Sequence, residues 1–363
     1  MTTHHDFTLN RPGALIAAVP AVLGFVPQNS LVIVGIERGQ MGAVMRLDLE
    51  DAFDGAVDGL ADVASTSGAD AAIAVIVAED RAGHPSFDSD CEGLCAHIAA
   101  VFEGFDITLI DAHVVDRIAA GGRWRCADGC GLEGSVDDPA ASPLSAAAVL
   151  DGRRLYGSRR ELEAVITPDS DGDVGALAQA IDELGAAAPD PPEHARRREA
   201  VAFVLECVRR VEAGEKPTDA ETARLAHGFT DVIVRDAVYA LALGPLADAA
   251  EQLWLHLART LPAPWRAEAL TFVGFFAYAR GDGPLAGVAL EAALDVDPAH
   301  RMARLLDNAL QSGMRPQRIR ELAHTGSDLA EALGVPVPGV RPSRPSRRAP
   351  SRGAGRRSRG RGR

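Results

Sequence analysis

The sequence predicts a mixed-sheet α/β domain over 1–166, an all-α, tetratricopeptide-like domain over 193–334, and a disordered Arg-rich tail over 335–363. Three observations carry that prediction. Through the first half, short apolar runs alternate with helix-length amphipathic stretches, the pattern of an α/β layer architecture. From residue 193 onward the apolar residues recur at helical spacing, with short connections such as Gly214-Glu-Lys-Pro217 and Gly281-Asp-Gly-Pro284. Beyond residue 335 the chain is Pro, Ser, Gly and Arg, with too little apolar surface to offset the entropy of ordering it. Residues 167–192 read as a linker region with a short helix inside, because Pro168-Asp-Ser-Asp-Gly-Asp173 and Ala186-Ala-Ala-Pro-Asp-Pro-Pro192 are turn-rich.

Phe7-Thr-Leu9 reads as a short strand, and 12–23 as a helix with Asn10 as N-cap and Pro12 in its first turn. The run Leu31-Val-Ile-Val-Gly-Ile36 is continuously apolar, as a strand buried on both faces must be. Glu37-Arg-Gly-Gln40 turns the chain into a second strand over 41–49, which makes the sheet mixed. A helix over 51–66, a strand over 71–78, a helix over 88–102 and a strand over 107–115 follow. Gly121-Gly122 then leads into Arg123-Trp-Arg-Cys126 and a loop rich in Gly, Asp and Cys.

Composition excludes several classes. Hydrophobic residues at 47% and charged residues at 24% argue against a fibrous or wholly disordered chain. Aromatics at 5% leave the core to Ala, Val and Leu. The N-terminus lacks a basic segment followed by an apolar one, and Pro20 interrupts the apolar stretch 12–26, so neither a secretory signal nor a membrane span is expected. A cytoplasmic location follows, and with it five reduced cysteines rather than a disulfide framework. The net charge of −14 conceals two opposite parts. Residues 341–363 hold ten arginines and no acid, while the remainder has 27 basic residues against 51 acidic ones, a net −24. Such a tail attracts phosphate backbones without reading bases, and the body repels them.

The cysteines form two C-x₃-C pairs, Cys91 with Cys95 on the predicted helix 88–102 and Cys126 with Cys130 in the loop. Thiolates one helical turn apart share a face, so they are placed to meet loop thiolates around one Zn²⁺. Cys126 and Cys130 are the candidate metal ligands, with His97 a further donor nearby; small cysteines packed as ordinary core residues are the alternative. Asp48, Glu79, Asp80 and Asp111 fall near predicted strand ends, where α/β sheets usually bind ligands, so Asp48 and Glu79 are candidates for a divalent-metal or acid/base pair. Asp169-Ser-Asp-Gly-Asp173 lacks the glycine position and closing Glu of a calcium loop and reads as a solvated turn. Phosphate-loop, dinucleotide, nucleophile-elbow and zinc-protease motifs are absent. In the helical half, Arg235-Asp236 and His256 beside Trp254 are candidates to line a groove, and Glu193-His-Ala-Arg-Arg-Arg198 reads as a solvated helix face.

Within 270–298, Gly274, Ala286, Ala293 and Pro298 sit at the offsets where a tetratricopeptide unit places its small residues and final proline. Pro264 lies one 34-residue period earlier. Both a helical bundle containing one such hairpin and a short repeat superhelix fit this pattern.

Several segments together resemble an actinobacterial family, domain of unknown function 4192. They are Ala17-Ala-Val-Pro-Ala-Val-Leu-Gly-Phe-Val-Pro-Gln-Asn-Ser-Leu-Val-Ile-Val34, Gly122-Arg-Trp-Arg-Cys126 with Cys130 and Glu133-Gly134, and Ser158-Arg-Arg-Glu161. Ala250-Glu-Gln-Leu-Trp254 and Arg280-Gly-Asp-Gly-Pro-Leu-Ala286 through Pro298 complete the set. Gly131 stands where the family pattern leads one to expect another Cys. The resemblance spans roughly residues 8–320 and implies an actinobacterial cytoplasmic protein without supplying an activity.

The functional expectation is a protein-interaction or scaffold module whose helical domain holds a protein or peptide partner. Two alternatives stand beside it: a metal-dependent enzyme with its site in the α/β domain, and non-specific nucleic-acid association through 341–363. No membrane partner is expected.

Overall fold

The computed structural model describes residues 11–79, 81, 85–150, 153–169, 173–186 and 192–340. The expected strand at Phe7, the Asn10 cap, Asp80, residues 170–172 and the arginine-rich stretch 341–363 lie outside the described residues.

Six strands form one sheet: β1 (Ser30–Glu37), β2 (Gln40–Asp48), β3 (Ala71–Val77), β4 (Thr108–Val115), β5 (Arg123–Cys126) and β6 (Glu133–Ser135), in the order β2-β1-β3-β4-β5-β6. Among these six strands only β3 and β4 pair in parallel, and the helix Pro85–Glu103 supplies their crossover. The other neighbours are antiparallel, so the sheet is mixed, as its first hairpin requires. Leu31 to Val34 of β1 are fully buried, in keeping with their continuous apolar run.

Strand alternation sends the sheet's side chains into two cores. Leu31, Ile33, Ala74 and Ile76 face Ala61, Cys91, Ile98 and Phe102. Val32, Val34, Val75, Val77 and Val115 face the other way, onto Ile16 and Val19 of the helix Pro12–Leu23, in a core that continues into the helical half. The sheet is therefore the middle of three layers, and the two halves share apolar packing.

The helix expected over 51–66 is two pieces, Leu49–Phe53 and Asp58–Thr66. Gly55, at φ +93°, turns the chain between them in a conformation that a β-carbon disfavours. The helix Val174–Ala186, inside the stretch read as a linker, packs Leu177 and Ile181 into the shared core. Arg259 Nε donates to Asp169 Oδ1 at 2.9 Å, fastening the start of that stretch to the helical half.

The helical half is built around Trp254, Phe272 and Phe275, all fully buried. The Phe272 ring lies 4.7 Å from that of Trp254 and 4.9 Å from that of Phe229. Arg266–Arg280 and Gly283–Val296 form the expected helical hairpin, turned at Gly281 with φ +92°. The final helix, Pro316–Ala332, folds back over Val232–Val238. Gly326 permits that contact: a β-carbon there would lie 2.5 Å from the Asp236 carbonyl oxygen. The same helix also packs on Tyr239–Leu243 and Arg266–Arg280. Residues 335–340, assigned by composition to the tail, are packed rather than loose, with Val335 and Val337 buried and Gly339 against Pro245. Their apolar side chains reach a surface that composition does not reveal. Among the described residues no helix is long and apolar enough to cross a membrane.

Candidate functional site

The Cys126–Cys130 loop follows directly from β5. Antiparallel pairing sets Cys126 opposite His113 of β4, and directly opposed residues project from the same face. His113 is buried, and its ring edge approaches Trp124 at 5.2 Å between centroids. Its Nδ1 lies 4.0 Å from Cys126 Sγ, and its Nε2 lies 3.2 Å from Asp111 Oδ2, one alternation back along the strand. On the loop side, the Cys130 backbone N–H donates to Asp128 Oδ1 at 3.0 Å. The donor atoms of Asp111, His113 and Cys126 lie within 4.8 Å of one another, as do those of Cys126, Asp128 and Cys130. Two triads thus meet at Cys126, and either could hold a metal ion.

Burial pushes the Cys126 thiol up to about 12 and lowers His113 below its usual 6.5, so both are neutral at pH 7 when no ion is bound. Asp128 is held below 3.8, chiefly by the Cys130 backbone N–H.

The four-thiol cluster suggested by the two C-x₃-C pairs is not formed. Arg125, on the face opposite Cys126, pairs with Asp88 of the helix Pro85–Glu103, which locates that helix across the sheet from Cys126. Burial raises Cys91 to about 12 and Cys95 to about 11, and neither joins the donor triads. His97 lies elsewhere, lining a depression with Phe53, Arg81 and Asp90.

Asp48, the last residue of β2, and Glu79, just beyond β3, stand at the same end of the sheet. With β1 between those strands, about 10 Å separates them, too far for a shared ion. Asp48 pairs instead with Arg46. Asp111 lies within β4 rather than at its end, which is why it meets His113. His113 was missed because a single His in a strand gives no spacing signal; its register opposite Cys126 is a tertiary fact.

In the helical half, Arg235, Asp236, His256 and Trp254 do not share a groove. Arg235 contacts Asp236 at 2.9 Å and Glu268 at 3.7 Å. Trp254 is core, and burial lowers His256, which lies near Lys216, Asp169 and Arg259. A cleft of about 370 Å³ opens instead between Glu193–Glu212 and the helices Asp219–Gly228 and Val232–Val238. Its floor is apolar, with Phe203, Val204 and Leu225, and its walls carry Arg196, Arg197 and Arg224 beside the carboxylates of Glu199 and Asp231. The Arg224 guanidinium lies 4.0 Å above the Phe203 ring and pairs with Glu199 at 2.6 Å. Arg197 pairs with Asp231 at 2.8 Å, while Arg196 has no ion pair among the described residues. The arginine cluster read as a solvated helix face thus contributes two side chains to a cleft.

Segments far apart in sequence converge where the two halves join. Phe25 bridges to Tyr156, and a β-carbon on Gly24 would lie 3.4 Å from Pro284 Cγ. Arg280 pairs with Asp282 at 2.8 Å and with Glu251. Arg159 reaches Glu291 at 3.1 Å. Apart from Tyr156, these residues belong to four of the sequence stretches noted above as a group: Ala17 to Val34, Ser158 to Glu161, Ala250 to Trp254, and Arg280 to Pro298. No curated protein and no solved structure matches the chain. The family model described as domain of unknown function (DUF4192) matches residues 12–317, and the chain belongs to that family.

Proposed function

We propose that the protein is an interaction module that holds an acidic peptide segment of a partner protein in the cleft between Glu193–Glu212 and Asp219–Gly228. The observation that carries this reading is the pairing of an apolar floor at Phe203, Val204 and Leu225 with the guanidinium groups of Arg196 and Arg224. An apolar anchor on the peptide would fill the floor, and its carboxylates would take bidentate hydrogen bonds from the arginines. Arg224, held over Phe203, would exchange its Glu199 partner for a peptide carboxylate. The hairpin of Arg266–Arg280 and Gly283–Val296 supports the reading from below: its tetratricopeptide-like spacing serves packing rather than chemistry. The test is a panel of immobilised peptides of equal apolar content that differ in charge. Retention of the full chain by acidic peptides alone supports the reading; equal retention by basic ones refutes it.

A second reading is favoured by one further observation, the ten arginines without an acid in 341–363. We propose that this stretch binds phosphate backbones by counterion release, independently of the cleft.

A further inference from the structure

We propose that the protein binds one zinc ion where the chain leaves β5 beside β4, through Cys126 Sγ, Cys130 Sγ, His113 Nδ1 and a carboxylate oxygen of Asp128, with Asp111 holding the histidine in the ligating tautomer. This site is separate from the peptide cleft and does not depend on it.

The argument begins with the histidine. A metal-ligating imidazole usually donates its other ring N–H to a carboxylate, which fixes both its tautomer and its orientation. Asp111 Oδ2 lies 3.2 Å from His113 Nε2, a charge contact that a small rotation of the carboxylate or the ring would turn into that hydrogen bond. Nδ1 is then the lone-pair nitrogen, and it points toward Cys126 Sγ at 4.0 Å, close to the spacing of two ligands on a tetrahedral ion. The strand register produces this arrangement: His113 and Cys126 are opposed across β4 and β5, and Asp111 shares the His113 face.

The loop supplies the rest. Gly129 and Gly131 take left-handed φ values of +70° and +83°, curling the chain so that Asp128 and Cys130 turn back toward Cys126. His113 and Cys130 belong to different triads, so closing the set requires the exposed Cys130 side chain to swing toward the ring. Two sulfur ligands, one nitrogen and one oxygen make a closed four-coordinate site, the form zinc takes in structural roles. Both thiols release their protons to solvent as the zinc–sulfur bonds form, and no redox step is involved. The ion would clip the loop to β4 at the end of the sheet where β5 and β6 are short.

Cobalt reads the ligand set directly. The full-length protein is stripped with chelator under reducing conditions and titrated with Co²⁺, then with competing Zn²⁺. The expected result is one equivalent of Co²⁺ with intense tetrahedral d–d bands and a thiolate-to-cobalt charge-transfer band, both bleached by one equivalent of Zn²⁺. Cys130→Ser, at an exposed position, is expected to fold and to lose part of the charge-transfer intensity. Asp111→Asn is expected to keep the spectrum at saturation while weakening affinity about 10- to 100-fold. Cys95→Ser is expected to change nothing. Absence of the charge-transfer band in the wild type, its full retention in Cys130→Ser, or its loss in Cys95→Ser would overturn the proposal.

Discussion

Gly274 lies against Leu290 at the crossing of the hairpin helices: a β-carbon added there would sit 2.7 Å from Leu290 Cγ. The contact explains why a small residue occupies this offset of the pattern. Gly274→Ala is expected to destabilise the protein by about 1–3 kcal/mol, the usual penalty for overpacking a core. Gly287, in the second helix of the same hairpin, is the control, since its nearest neighbour would be Leu310 Cδ2 at an ordinary 3.6 Å. Gly287→Ala is expected to stabilise by up to about 1 kcal/mol through helix propensity. Urea unfolding of both variants measures the contrast, and equal effects would refute the packing assignment.

Arg280 joins Glu251 to Asp282 at the junction of the two halves, where its partners are largely buried. Removing one member leaves buried charge without its partner. Arg280→Met is therefore expected to cost about 3 kcal/mol or more. Replacing Glu251 and Asp282 by neutral isosteres in the same background is expected to recover part of that loss. A double-mutant cycle by thermal unfolding measures the coupling, and additive effects would show that the three do not act together.

The capping box at Thr218 and Glu221 predicts an acid response. The Thr218 backbone N–H and the Arg210 guanidinium hold the Glu221 carboxyl below its usual 4.5. The folded protein then gives up this proton more readily than the unfolded chain, so the contribution is complete above about pH 4.5 and is lost as pH falls through the lower folded value. Stability curves of wild type and Glu221→Gln are expected to converge on acidification. Thr218→Ala, which removes the cap hydroxyl, is expected to cost about 1 kcal/mol at neutral pH.

The arginine-rich stretch predicts a salt response rather than a pH response. Binding to single-stranded RNA is expected to fall about a thousandfold between roughly 50 and 200 mM salt and to vanish on deletion of 341–363. Equal RNA binding by the deletion variant in an electrophoretic shift assay would end this reading.

Much of the scaffold was legible in the residues. The apolar run of β1, the hairpin into β2 and the helical period after residue 193 each reflect local preference and burial acting together. The break at Gly55 was hidden because the flanking apolar residues keep helical spacing through it. The packing of Val335 and Val337 was hidden by the polar composition around them. Of the metal candidates, C-x₃-C identified Cys126 and Cys130, but not that strand alternation sends Cys126 away from the helix bearing Cys91 and Cys95. His113 and Asp111 became visible only once β4 and β5 were paired in register. The cleft was hidden for a related reason: Arg196 and Arg224 come from different helices, and each alone is an ordinary surface arginine.

The central claim is that the Arg196–Arg224 cleft binds an acidic peptide. Its most direct measurement is the fluorescence-anisotropy isotherm of a labelled acidic peptide with one Leu or Phe anchor, on wild type and on Arg196→Glu/Arg224→Glu, at low and physiological salt. The predicted result is saturable one-to-one binding that weakens with salt and drops at least about tenfold in the double variant, a loss of about 1.4 kcal/mol. Binding no tighter than that of a basic peptide with the same anchor, or an unchanged isotherm in a double variant that retains the wild-type circular dichroism spectrum, would contradict it.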